Sequence, residues 1–209
     1  MVTTESSRTR ERDRDFDPSR LATAALIGIA VYVVIDIVLA FLRPDYSLIS
    51  NAESDYGRGP FSWLMDVNFV IRGLFSAFAA VAMIRAGVAR RWMAVLVWVW
   101  AVASALLAAF ADNPAGYPYR RTGPVHDLLG LIAFVAIVIG TIAISFARSS
   151  VNGTVATTQR ILSIAGAVVF VALAHPLGAF GLVERIFLAV ELAWMIVTLV
   201  EIRRQRPAA

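Results

Sequence analysis

Cysteine and lysine are both absent from this chain of 209 residues. Without cysteine there is no disulfide framework, no thiolate metal site and no cysteine nucleophile. Without lysine there is no Schiff base, which excludes a retinal-binding pump and a pyridoxal enzyme. Histidine occurs only twice, as His126 and His175. Charge is scarce too: 16% of residues are charged against 59% hydrophobic, a balance outside the soluble globular range. No Gly-rich phosphate loop, GxSxG, HExxH or CxxC is present, and no cofactor is expected. A serine triad would need Ser50 or Ser54 beside His126, and no motif supports one.

What remains is hydrophobic and arrives in runs of about twenty, the length that crosses a hydrocarbon core roughly 30 Å thick. The expected fold is all-α, an integral membrane bundle of six transmembrane helices. These fall at about Leu21–Leu42, Phe61–Ile84, Trp92–Ala111, Pro124–Ala147, Arg160–Ala174 and Val183–Ile202. Residues 1–20 alternate arginine with acid and read as a disordered tail without the apolar core of a cleaved signal peptide. The transmembrane domain then covers residues 21–202, and 203–209 form a second tail. Arg43–Pro60 reads as a polar loop and Arg148–Gln159 as a Ser/Thr/Asn/Gly linker. The stretch Asp112–Asp127 (DNPAGYPYRRTGPVHD) joins two apolar runs, stiffened by Pro114, Pro118 and Pro124 and turned by Gly116 and Gly123.

Arginine supplies the orientation. With the N-terminus in the cytoplasm, that side holds Arg8, Arg10, Arg12, Arg14, Arg20, Arg85, Arg90, Arg91, Arg148, Arg160, Arg203, Arg204 and Arg206. The other side holds only Arg43, Arg58, Arg120, Arg121 and Arg185. The positive-inside rule places both termini in the cytoplasm, in a plasma-membrane protein. The net charge of +4 is therefore a topology signal, and nucleic acid is not an expected partner.

In that orientation Asp36, Asp66, Asp112, His126, Asp127, His175, Glu184 and Arg185 gather in the outer half of the bundle. Arg72 and Glu191 lie nearer mid-depth. Each intramembrane charge costs roughly 2.5–3.5 kcal/mol on insertion scales, so Asp36, Asp66, Arg72 and Glu191 need partners. Asp66 and Arg72 stand about 240° apart around one helix and face different ways. Arg72 is expected to reach Asp36 or Glu191 on a neighbouring helix. Glu184 and Glu191 share a face, which suggests that one is protonated or that an arginine lies between them. The expectation is a polar pocket at or just beneath the outer surface.

Three segments, SNAESDYGRGPFSWLMDVNF, GPVHDLLGLIAF and GLVERIFLAVELAWM, resemble the membrane family called domain of unknown function 998. The matching positions are Ser54, Tyr56 and Gly57 before the second helix, Gly123 and His126 opening the fourth, and Gly181, Glu184 and Arg185 opening the sixth. The resemblance runs from about Leu21 to Ile202. It implies a six-helix integral membrane protein and no particular activity.

Three functional readings follow. The first binds or moves a lipid-like or small anionic ligand, with membrane lipids as partners. Its pocket draws on Asp36, Ser54, Tyr56, Asp66, Arg72, Asp112, Arg121, His126, Asp127, His175, Glu184, Arg185 and Glu191, with Arg121 and its neighbour Arg120 suited to a phosphate. The second is a metal-assisted hydrolase using His126, His175 and carboxylates, although membrane hydrolases of that type generally use three histidines. The third is a structural or sensor protein, with Tyr56, Tyr117, Tyr119, Trp63 and Trp92 as interfacial anchors. The sequence leans away from an enzyme and leaves room for a homodimer.

Overall fold

The computed structural model describes residues 17–114, 116–147, 153–175 and 177–205. Six α-helices make up the architecture: α1 (Pro18–Leu42), α2 (Ser62–Arg85), α3 (Arg91–Leu107), α4 (Gly123–Ala147), α5 (Gly153–Leu173) and α6 (Phe180–Arg204). A 3-10 turn at Glu53–Gly57 interrupts the α1–α2 loop, and no strand occurs among the described residues. Each helix packs on the next and α1 closes against α6, while α2 and α6 also touch across the ring. The α1–α2, α3–α4 and α5–α6 connections gather at one end, the capped end of the bundle.

By length and composition, α1, α2, α4 and α5 can each cross a bilayer, with mean hydropathies of 2.7, 1.9, 2.7 and 1.6. Helix α3 is apolar but spans 17 residues, about 25 Å at 1.5 Å per residue. Helix α6 carries Glu184, Arg185 and Glu191 along its first half.

Helix ends follow local chemistry more than the hydrophobic runs. Asp17 caps α1, its carboxylate accepting from the Ser19 N–H at 3.0 Å with Pro18 in the first turn, so residues 18–20 are helix and not tail. The rest of the expected N-terminal tail, like residues 206–209, lies outside the described residues. Helix α3 stops four residues before the expected Ala111, its end tightening into i to i−3 bonds in which the Ala108, Ala109 and Phe110 N–H groups donate to the Ala105, Leu106 and Leu107 carbonyls. Helix α5 starts at Gly153, well before the expected Arg160. The Thr157 and Thr158 hydroxyls donate to the carbonyls of Gly153 and Thr154, so a polar stretch that reads as linker is helical. Helix α6 likewise opens earlier than expected, at Phe180.

Away from the capped end, buried polar side chains pair between helices. Trp194 Nε1 of α6 donates to Ser145 Oγ of α4, and Gln159 Nε2 of α5 donates to Thr198 Oγ1 of α6, both at 2.8 Å. Trp100 is buried and donates to Ser76 on α2, whereas Trp98 is partly exposed on the outer face. Trp63 and Trp92 are exposed. Tyr56, expected beside them as an interfacial anchor, is not. It is fully buried among Leu39, Met65, Phe69 and Leu107.

Candidate functional site

Three arginines at the capped end serve as staples for backbone carbonyls. Arg43 donates to Arg58 O at 2.7 Å and Pro60 O at 3.1 Å, and reaches Tyr117 Oη at 3.2 Å. Its hydrogen bonds to the exposed Asp45 hold that carboxyl below the usual carboxylate range. Arg58 donates to Asp112 O and Pro118 O, tying the first loop to the α3–α4 loop. Arg185 donates to Leu48 O, Asn51 O and Gly181 O, tying the first loop to α6. Leu182 N–H adds a bond to Ile49 O, and the loop backbone at Asn51 presses so closely on Gly181 that a Cβ there would overlap the Asn51 carbonyl.

These staples drive the 3-10 turn into the bundle. Glu53 is 2% exposed and forms an ion pair with Arg72 of α2, Nη1 to Oε2 at 3.5 Å. Tyr32 of α1 donates to the other Glu53 oxygen at 2.5 Å. Glu184 of α6 accepts the Glu53 backbone N–H at 2.6 Å. The Arg72 guanidinium also lies 5.1 Å from the Trp100 ring centroid and 5.2 Å from that of Phe69. The partner expected for Arg72 was Asp36 or Glu191; the structure supplies Glu53. Asp36 faces the same cluster from α1, but its Oδ1 has no hydrogen-bond donor. Glu191 lies deeper, against Gly166 of α5, and neither of its oxygens has a donor. Thr141 is its polar neighbour and spends its proton on Val138 O. The expectation that both carboxylates are paired is thus corrected.

A second group sits beside the ion pair. His126 Nδ1 lies 2.7 Å from Phe110 O, a carbonyl just beyond the end of α3. A carbonyl only accepts, so Nδ1 carries the proton and Nε2 turns toward Asp112 Oδ2, 3.8 Å away. Ser54 Oγ donates to that same oxygen at 3.0 Å. Gly123 makes this arrangement possible, since a side chain there would collide with Asn113, which holds the α3–α4 loop through Arg120.

Between these groups and α4, α5 and α6 lies a cavity of about 560 Å³, within the roughly 300–1,000 Å³ of small-molecule sites. Its polar end is formed by Glu53, Ser54, Arg72, Asp112, His126, Asp127 and Glu184. The rest of its lining is apolar, with Leu131 and Phe134 of α4, Phe170 and Val171 of α5, and Phe180 of α6. Leu131 and Val171 are 55% and 70% exposed on the outer surface as well, so the trough opens sideways.

Six of the anticipated residues therefore share one cavity: Ser54, Arg72, Asp112, His126, Asp127 and Glu184. Asp36 stands behind it, and Tyr56 and Arg185 brace its cap. Asp66 and Arg121 line a separate polar cavity of about 360 Å³ with Arg58 and Arg120. Partly exposed there, Asp66 needs no buried cation. His175 is exposed beyond the end of α5 and outside the cavity lining. Among the described residues no three histidine or carboxylate side chains are grouped to hold a metal ion. Glu53 is the cavity residue that the sequence reading missed; the signal available was an acid inside the loop motif.

Four bilayer-length apolar helices in an all-helical bundle define an integral membrane protein with an amphiphilic cavity beneath one capped end. The chain belongs to the family described as "Protein of unknown function (DUF998)", whose profile matches residues 26–201. No curated protein and no solved structure matches it.

Proposed function

We propose that this protein binds a lipid-like amphiphile in the cavity between α4, α5 and α6. One observation carries the reading: the cavity joins a cluster of ionisable side chains to an apolar lining that is exposed at Leu131 and Val171. A hydrocarbon chain can enter such a trough from the bilayer while its head reaches the ionisable end. A small anion finds less support, because the one buried arginine in the lining is already paired with Glu53. Gly130 gives the test. It lines the trough, and a Cβ there meets nothing within 4 Å. Gly130→Leu should fold normally, since leucine is the better helix former by about 1 kcal/mol, yet fill the trough. Native mass spectrometry should show lipid retained by the parent protein and lost from the variant. Equal retention would overturn the reading.

We place the protein in the plasma membrane, and the arginine distribution supports an orientation with the capped end outside and both termini in the cytoplasm. Reporter fusions should read external at Gly116 and cytoplasmic at Gly153 and at the C-terminus. A cytoplasmic signal at Gly116 would invert the topology.

A further inference from the structure

The polar end of the cavity is not electrically neutral in its composition. Four carboxylates, Glu53, Asp112, Asp127 and Glu184, face one arginine and one histidine. Arg72 is paired with Glu53 through Nη1 and enclosed by aromatic rings, its buried Nε without a partner. Asp112 has Ser54 and its own backbone neighbour as donors. Two acceptors are left over. Glu184 is 6% exposed, and only its Oε2 has a donor, the Glu53 N–H. Asp127, a turn away from the apolar trough, accepts no hydrogen bond among the described residues. Asp127 is exposed, and both residues line the cavity, so these oxygens lie open to whatever occupies it.

Resting on the lipid-binding reading above, we infer that the occupant carries an ammonium head group on its hydrocarbon chain, held by Glu184 Oε1 and Asp127. An ammonium has three donors and no acceptor, which matches two donor-deficient carboxylates. A carboxylate or phosphate head would instead approach both carboxyls, and the arginine of the lining, Arg72, is only 2% exposed and already paired with Glu53. The ammonium can belong to a free long-chain amine or to a zwitterionic phospholipid head, and both present the same group to the site.

The experiment compares hexadecylamine, hexadecanol and hexadecanoic acid, added to delipidated protein in detergent and followed by native mass spectrometry. One hydrocarbon tail is common to all three, so only the head differs. The amine should bind about tenfold more tightly than the alcohol, the ratio expected for gaining a charge-assisted hydrogen bond, and the acid most weakly. Asp127→Asn, at an exposed position, should bring amine binding down toward that of the alcohol, and Glu184→Gln should do the same where it folds. Competition by lysophosphatidylethanolamine would assign the ammonium to a phospholipid head, and its failure to compete would assign it to a free amine. Equal binding of the three probes, or tightest binding of the acid, would overturn the head-group inference while leaving the lipid reading in place. Binding of none of them would overturn both.

Discussion

Arg72→Ala is expected to remove most of the folded protein. Its guanidinium is the one cation paired with Glu53, whose side chain is 3% exposed, and Glu184 lies on the other side of that residue. Truncating one partner of a buried pair leaves the other uncompensated, at about 3–5 kcal/mol, a large share of the stability of a domain this size. Fluorescence-detected size exclusion and thermal melts in mild detergent will read the loss. Arg121→Ala, exposed on the α3–α4 loop, should stay within about 0.5 kcal/mol of the parent. The charge-neutral double variant Arg72→Met with Glu53→Gln should recover much of what the single variant loses, because removing both charges removes the desolvation problem as well. Equal yields of Arg72→Ala and Arg121→Ala would mean that Arg72 is hydrated and the ion pair unimportant.

Gly181→Ala is the second large effect. The added methyl group would overlap the Asn51 carbonyl, a backbone atom fixed by Arg185 and by the neighbouring Leu182–Ile49 bond. The loop must lift from α6, straining the carbonyl staples together, so the cost should reach or exceed the roughly 1–3 kcal/mol typical of overpacking. Gly153→Ala, where a Cβ meets nothing within 4 Å, is the control and should melt like the parent. A Gly181→Ala protein with an unchanged melting temperature would show that the first loop does not depend on this close approach.

These two residues also show what the sequence could and could not reveal. Helix number was legible because hydrocarbon thickness imposes a length on every apolar run. Gly181, Glu184 and Arg185 stood out as a group, and the structure separates what they do. Gly181 permits the close approach of the loop, Glu184 accepts the Glu53 N–H, and Arg185 clamps the first loop. The first loop was legible as polar, and the depth to which it is buried was not. Its charges are satisfied internally, Arg43 and Arg58 by carbonyls and Glu53 by Arg72 and Tyr32, and such pairings across 15 to 54 residues have no local signature. Asp55 shows the same burial, which pushes its carboxyl above the usual range. The extent of α5 was hidden for a different reason: threonine hydroxyls bonded within the helix mimic the composition of a linker.

The most direct measurement for the central claim is photo-cross-linking with a lipid that carries its reactive group in the acyl chain. If the trough holds that chain, adducts concentrate on Leu131, Phe134, Phe170 and Val171, and are depleted by Gly130→Leu. Adducts spread evenly over the lipid-facing surface, as frequent on Ile27, Val34 and Ile37 of α1 as in the trough and indifferent to Gly130→Leu, would contradict it.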